Sequence, residues 1–110
     1  MLVIKVDYED AINRIFTSSK DELENIKKLN DEAQKLIDNS EANEKNMDDL
    51  SFEMEKNLSK IEERICHSRN EFYEMITSRK NRMELMEQFE DYLEEKLKEY
   101  GLQSDEEEED

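Results

Sequence analysis

From Ile26 to Tyr100 the chain contains neither proline nor glycine, and apolar residues recur along it at helical spacing. That stretch constrains the fold more than anything else in the sequence. Proline costs about 3 kcal/mol inside a helix and glycine about 1 kcal/mol, so a chain that avoids both is built for long helices. Leu23, Ile26, Leu29, Ala33 and Leu36 follow one another in steps of three and four, the signature of one apolar face on a helix. Met47, Leu50, Met54, Leu58, Ile61 and Ile65 continue it, with two successive steps of four from Leu50 to Leu58 that locally unwind a supercoil.

A narrow apolar seam is what the composition allows. Only 35% of the 110 residues are hydrophobic and 44% are charged, too few apolar side chains for a broad globular core. Strand signals are confined to Leu2–Val6, an apolar strip with no second strand to pair with, read here as an anchor against a helix. The expected fold class is therefore all-α: a long helical hairpin or a kinked coiled-coil rod, with a disordered acidic C-terminal tail.

Local signals divide the chain. Asp7 is placed to cap a first helix, and Glu9 and Asp10 suit its positive end. Thr17 to Glu22 interrupts the apolar pattern, and Ser19 with Glu22 has the spacing of a capping box. Residues 38–46 hold three asparagines and no large apolar side chain. This is the expected turn between two antiparallel helices, with Asn46 as the fresh start; a polar layer inside one unbroken rod is the alternative. Residues 77–81 form a second weak point, where a kink or another turn fits. Gly101 stands where a left-handed helix cap belongs, with Leu102 packing back on Leu97. The expected organisation is one helical coiled-coil domain over 1–102 and an acidic tail over 103–110.

The formal charge is −16. Direct binding to nucleic acid and to an anionic membrane surface is disfavoured by it, whereas basic proteins are attracted. There is neither an eighteen-residue apolar run nor a cationic leader, and the single cysteine, Cys66, points to the cytoplasm or another reducing intracellular compartment. The charge is unevenly spread: residues 56–82 carry seven bases and four acids, although the chain as a whole is strongly acidic. Lys56, Lys60 and Arg64 lie four apart and share a helical face. They read either as a register device facing an acidic segment or as an ordinary solvated surface.

Chemistry-bearing constellations are sparse. Cys66 and His67 are neighbours in sequence, and no other Cys or His exists to complete a zinc set. Cys66 reads as a small core or flanking residue. No metal, cofactor or catalytic residue is expected, and the chain is not expected to be an enzyme. Ser104, followed by acids, has the form of an acid-directed kinase site.

The expected function is non-enzymatic: an assembly subunit, scaffold or adaptor that binds a protein partner or a second copy through its helices. At about 1.5 Å per residue, residues 47–100 form a longer arm than residues 7–38, so the distal part of the second helix is expected to protrude. Met83, Met86, Phe89, Leu93, Leu97 and Tyr100 are then the partner-binding stripe. One alternative is an acidic inhibitor or nucleic-acid mimic, since Glu84, Glu87, Glu90, Asp91, Glu94, Glu95 and Glu99 form a dense acidic helix face. Another is a helical-hairpin secretion partner or chaperone. The length and the opening Ile4-Lys5-Val6-Asp7-Tyr8 resemble the small WXG100-like secretion proteins, but their Trp-x-Gly turn is missing, as the chain has no tryptophan and Gly101 is its only glycine.

Overall fold

The structure is a computed structural model, and it describes residues 7–102. Among these residues there are four helices and no strand: α1 (Tyr8–Ser18), α2 (Lys20–Asp38), α3 (Glu44–Met75) and α4 (Arg79–Glu99). The apolar strip at Leu2–Val6 and the acidic tail lie outside the described residues.

The helix ends follow from local chemistry. Asp7 Oδ1 accepts from the backbone N–H groups of Glu9 (3.0 Å) and Asp10 (3.2 Å), which satisfies two donors at the start of α1. α2 ends where Ser40 turns left-handed, with φ of 58°. Glu41 N–H then donates to Leu36 O at 2.7 Å and Ser40 N–H to Ile37 O at 3.1 Å. These are the two bonds of a Schellman cap. α4 ends identically: Gly101 has φ of 77°, Leu102 N–H donates to Leu97 O (2.7 Å), and Gly101 N–H donates to Lys98 O (3.0 Å). α3 begins two residues before the expected Asn46 in the helix order, because Asn43 supplies the cap. Its Oδ1 accepts from Asn46 N–H at 2.8 Å.

The chain divides into two compact units. The first is Ile15–Ile65, a hairpin of α2 and the first part of α3. Asn25 Nδ2 donates to Asn57 Oδ1 (3.2 Å), and Glu22 meets Arg64. Residues early in α2 thus pair with residues late in this part of α3, so the helices are antiparallel and the chain reverses at 39–43. Ile15, Phe16, Ile26, Ile61 and Ile65 are its buried apolar residues.

The second unit joins Met1–Arg14 to Cys66–Asp110. Here the start of α1, the end of α3 and the whole of α4 come together. Phe72 and Phe89 pack with ring centroids 5.1 Å apart, and Tyr8 meets Tyr92 edge-on at 5.8 Å. Tyr92 Oη donates to Asn13 Oδ1 at 3.3 Å. Ile12, Phe72, Ile76, Phe89 and Leu93 form the core.

The connection between α3 and α4 is a full reversal, since Arg69 on α3 holds Glu90 on α4 through two hydrogen bonds. Ile76 anchors it from the core. The Arg82 guanidinium lies 4.4 Å from the Tyr73 ring centre and donates to Ile76 O at 2.8 Å, a cation at the carbonyl end of α3. The seam thus passes through Ile76 at this point, while its neighbour Met75 is exposed.

A candidate protein-interaction surface

The expected stripe on α4 does not form one open surface. Phe89 is 0% exposed and Leu93 4%. Both are covered from within their own chain, because the reversal at 76–78 returns α4 onto the end of α3 and the start of α1. A single long arm over residues 47–100 would have left the stripe bare; the second turn, which the weak point at 77–81 also allowed, folds it back instead. Met86 and Leu97 are half-buried. Met83 is 81% exposed, and Tyr100 is exposed at the end of the helix. Of the six residues, only Met83 and Tyr100 present an open surface.

The open apolar face lies instead in the α2–α3 hairpin. Ile26 and Ile61 are 5% and 2% exposed. One turn further on, burial stops. Leu29, Ala33 and Leu36 on α2, with Met47, Leu50, Met54 and Leu58 on α3, are all half-buried, and none reaches the buried class. The cause is geometric. Toward the closed end the same compact unit also buries Ile15 and Phe16, which add apolar side chains to those of Ile26 and Ile61. Beyond it, two helices face each other alone, and a pair of cylinders covers only one side of each seam. Ile37, at the open end, is 53% exposed. Phe52 is 63% exposed on the opposite side of α3, with the Lys56 ammonium 5.7 Å above its ring.

Charge is graded along the same hairpin. Between Asn30 and Glu55 there are nine acids and two bases, Lys35 and Lys45. Lys27, Lys28, Lys56 and Lys60 stand nearer the closed end. The segment that carries the half-buried seam is thus strongly acidic over most of its length and holds its ammonium groups toward the closed end.

The closed end is locked by a polar cluster that spacing alone misread. Ser19 and Glu22 do not form a capping box; Ser19 makes no side-chain cap bond. Both side chains face Arg64 across the hairpin. Arg64 Nη1 donates to Glu22 Oε1 (2.8 Å) and to Ser19 Oγ (3.0 Å), and Nη2 donates to Glu22 Oε2 (3.2 Å). Ser19 and Glu22 are the buried polar residues of the core. The Arg64 hydrogen bonds hold the Glu22 carboxyl below its usual range, against the opposing effect of burial. The same bonds raise the Arg64 guanidinium, again against desolvation. Of the basic row on α3, Arg64 therefore does face an acid on the neighbouring helix. Lys60 is exposed, and Lys56 lies near Glu53 of its own helix.

Cys66 is exposed, which makes it a surface residue rather than a core one. His67 Nε2 lies 3.2 Å from Glu71 Oε2, one turn along the same helix. Among the described residues, no group of three or more His, Cys, Asp or Glu side chains is arranged to hold a metal ion, and no helix is long and apolar enough to cross a membrane. Comparison of the chain with protein-family models, with curated proteins and with solved structures finds no match.

Proposed function

We propose that the chain is a non-enzymatic assembly subunit or adaptor that works by offering the seam of its α2–α3 hairpin to a helix of another protein chain. One observation carries this reading. Burial along the seam falls abruptly from the closed end to the half-buried run between Leu29 and Leu58, although every residue in that run has the type and spacing of a helix core. Amphipathic helices obtain most of their stability from covering such a face. A third helix laid in the groove would remove from water what the hairpin leaves exposed. At about 25 cal/mol per Å² of apolar area, a few hundred Å² so covered is a substantial driving force. The methionines Met47 and Met54 suit such a groove, because unbranched thioether side chains adapt to a partner's shape.

The test is site-specific photocrosslinking in the cell of origin. A photoreactive phenylalanine analogue at Leu36 or Met54 is expected to give a discrete protein adduct, and the same probe at Glu84 on α4 is not. Adducts from Glu84 alone would overturn the reading. They would favour the acidic-mimic alternative, which has its own support in the exposure of Glu84, Glu87, Asp91, Glu94 and Glu95 along α4. Salt separates the two classes as well. A seam-driven complex survives 0.5 M salt, which is well above the ~0.15 M at which the screening length is about 8 Å, and a complex held by the α4 carboxylates does not.

A further inference from the structure

We infer that the occupant of the hairpin groove is a single amphipathic helix with basic flanks, lying with its more cationic end at the 39–43 turn. This rests on the reading of the hairpin seam as a docking groove and names the chemistry of what docks there. Two observations lead to it. The first is shape. The half-buried run extends from Leu29 to Leu58, and beyond its inner end the Ser19–Glu22–Arg64 hydrogen bonds tie the two helices together. The second is charge. The segment from Asn30 to Glu55 carries nine carboxylates and two ammonium groups. A helix with acidic flanks would add to this negative field, whereas Lys or Arg flanks would be drawn by it, and Glu32, Glu44, Glu53 and Glu55 are the acids that stand one helical turn from a seam residue.

The gradient sets the direction. Lys27, Lys28, Lys56 and Lys60 gather toward the closed end, so the incoming helix is least cationic there and most cationic at the turn. A second copy of this chain is the poorer occupant. Each copy carries a net charge of −16, and the hairpin that a second copy would offer is just as acidic. Self-repulsion of this kind opposes compact association. A basic helix gains from the whole field of the protein as well as from the groove.

The experiment uses the full chain and three synthetic peptides in fluorescence anisotropy, with light scattering on the chain alone. The first peptide carries a leucine stripe at helical spacing and Lys/Arg flanks. The second keeps the stripe and exchanges the flanks for Glu. The third keeps the composition of the first and scrambles the stripe. The chain alone is expected to scatter as a monomer. The first peptide is expected to bind at 1:1, at least roughly tenfold more tightly than the second, because several weak flanking ion pairs add together. The scrambled peptide is expected to bind at least as weakly as the second.

Two surface variants test the direction. Glu32→Lys with Glu44→Lys should weaken the first peptide by about tenfold on the same grounds, and Lys27→Gln with Lys28→Gln should leave it equal or tighter. All four positions are exposed, and unchanged circular dichroism checks that the fold is retained. Equal binding of the Lys- and Glu-flanked peptides would overturn the basic-partner inference and leave the groove standing. Equal binding of the striped and scrambled basic peptides would show general attraction and overturn it also. A dimeric chain that ignores the peptides would make a second copy the occupant. A monomer that binds none of the three would overturn the groove itself.

Discussion

Replacing Arg64 by methionine removes the cation hydrogen-bonded to Glu22 and Ser19 at the closed end of the hairpin, and leaves Lys60 as the more distant positive charge acting on Glu22. Three hydrogen bonds are lost, at 2.8, 3.0 and 3.2 Å, and a carboxylate whose side chain is 11% exposed is left without its partner. Breaking a fully buried ion pair from one side costs about 3–5 kcal/mol, most of it from the charge left behind. The Arg64 side chain is 35% exposed, so solvent already screens part of the interaction, and the cost falls to about 2 kcal/mol. Replacing both partners, with Glu22→Leu and Arg64→Met, removes the stranded charge and should return stability to within about 1 kcal/mol of the native chain. Urea unfolding followed by circular dichroism measures all four corners of this double-mutant cycle, and the expected coupling is about 1.5 kcal/mol. The pH dependence provides an independent check. The Glu22 carboxyl is held below 4.5 in the folded chain. Its stabilisation is therefore full above the unfolded value of about 4.5 and disappears as pH falls through the lowered folded value. The stability gap between native chain and Glu22→Gln should be flat from pH 7 to 5 and shrink below that. A cycle with no coupling, or a gap that grows on acidification, would refute the reasoning.

The two left-handed caps should respond in opposite directions to exchanging Ser and Gly chemistry. Ser40 adopts φ of 58° with a side chain that disfavours it, so Ser40→Gly should raise stability by about 0.5–1 kcal/mol; Gly101→Ala at φ of 77°, with nothing within 4 Å of the new Cβ, should lower it by about 1 kcal/mol. Changes of the same sign in urea titrations would contradict the cap assignment. Phe89→Ala should cost about 3–5 kcal/mol and Met83→Ala less than about 0.5 kcal/mol, although both belong to one apolar stripe by spacing. Similar losses in thermal or urea unfolding would argue against the burial described for α4.

Much of the helical fold was legible, because its causes are local. The absence of proline and the run of apolar steps gave long helices. Asp7 and Gly101 announced caps by residue type alone. Ser40 did not, since serine in a left-handed conformation has no compositional signal, and its neighbours Asn39 and Asn43 drew attention to the turn without giving its register. Ser19 and Glu22 carried a local pattern whose real partner, Arg64, lies far along the chain. A capping box and an interhelical ion pair demand the same residue types, and only the packing of α2 on α3 distinguishes them. The stripe from Met83 to Tyr100 turned on one question, whether 77–81 bends or reverses. Ile76, buried in the turn, decides it, and a single apolar residue at a weak point gives little warning of that. The hairpin seam itself was visible in Leu29 to Leu58. That it stays half open depends on Ile15 and Phe16 adding apolar side chains toward one end and nothing among the described residues covering the other, which spacing cannot reveal.

The methionines report on the central claim. Met47 and Met54 lie in the hairpin groove, whereas Met75, Met83 and Met86 lie at the end of α3 and on α4. With 13C-methyl-labelled methionine in the full chain, titration of the Lys-flanked amphipathic peptide should shift or broaden the Met47 and Met54 methyl signals and leave those of Met75, Met83 and Met86 in place. Perturbation confined to Met83 and Met86 would put the docking surface on α4 and contradict the account.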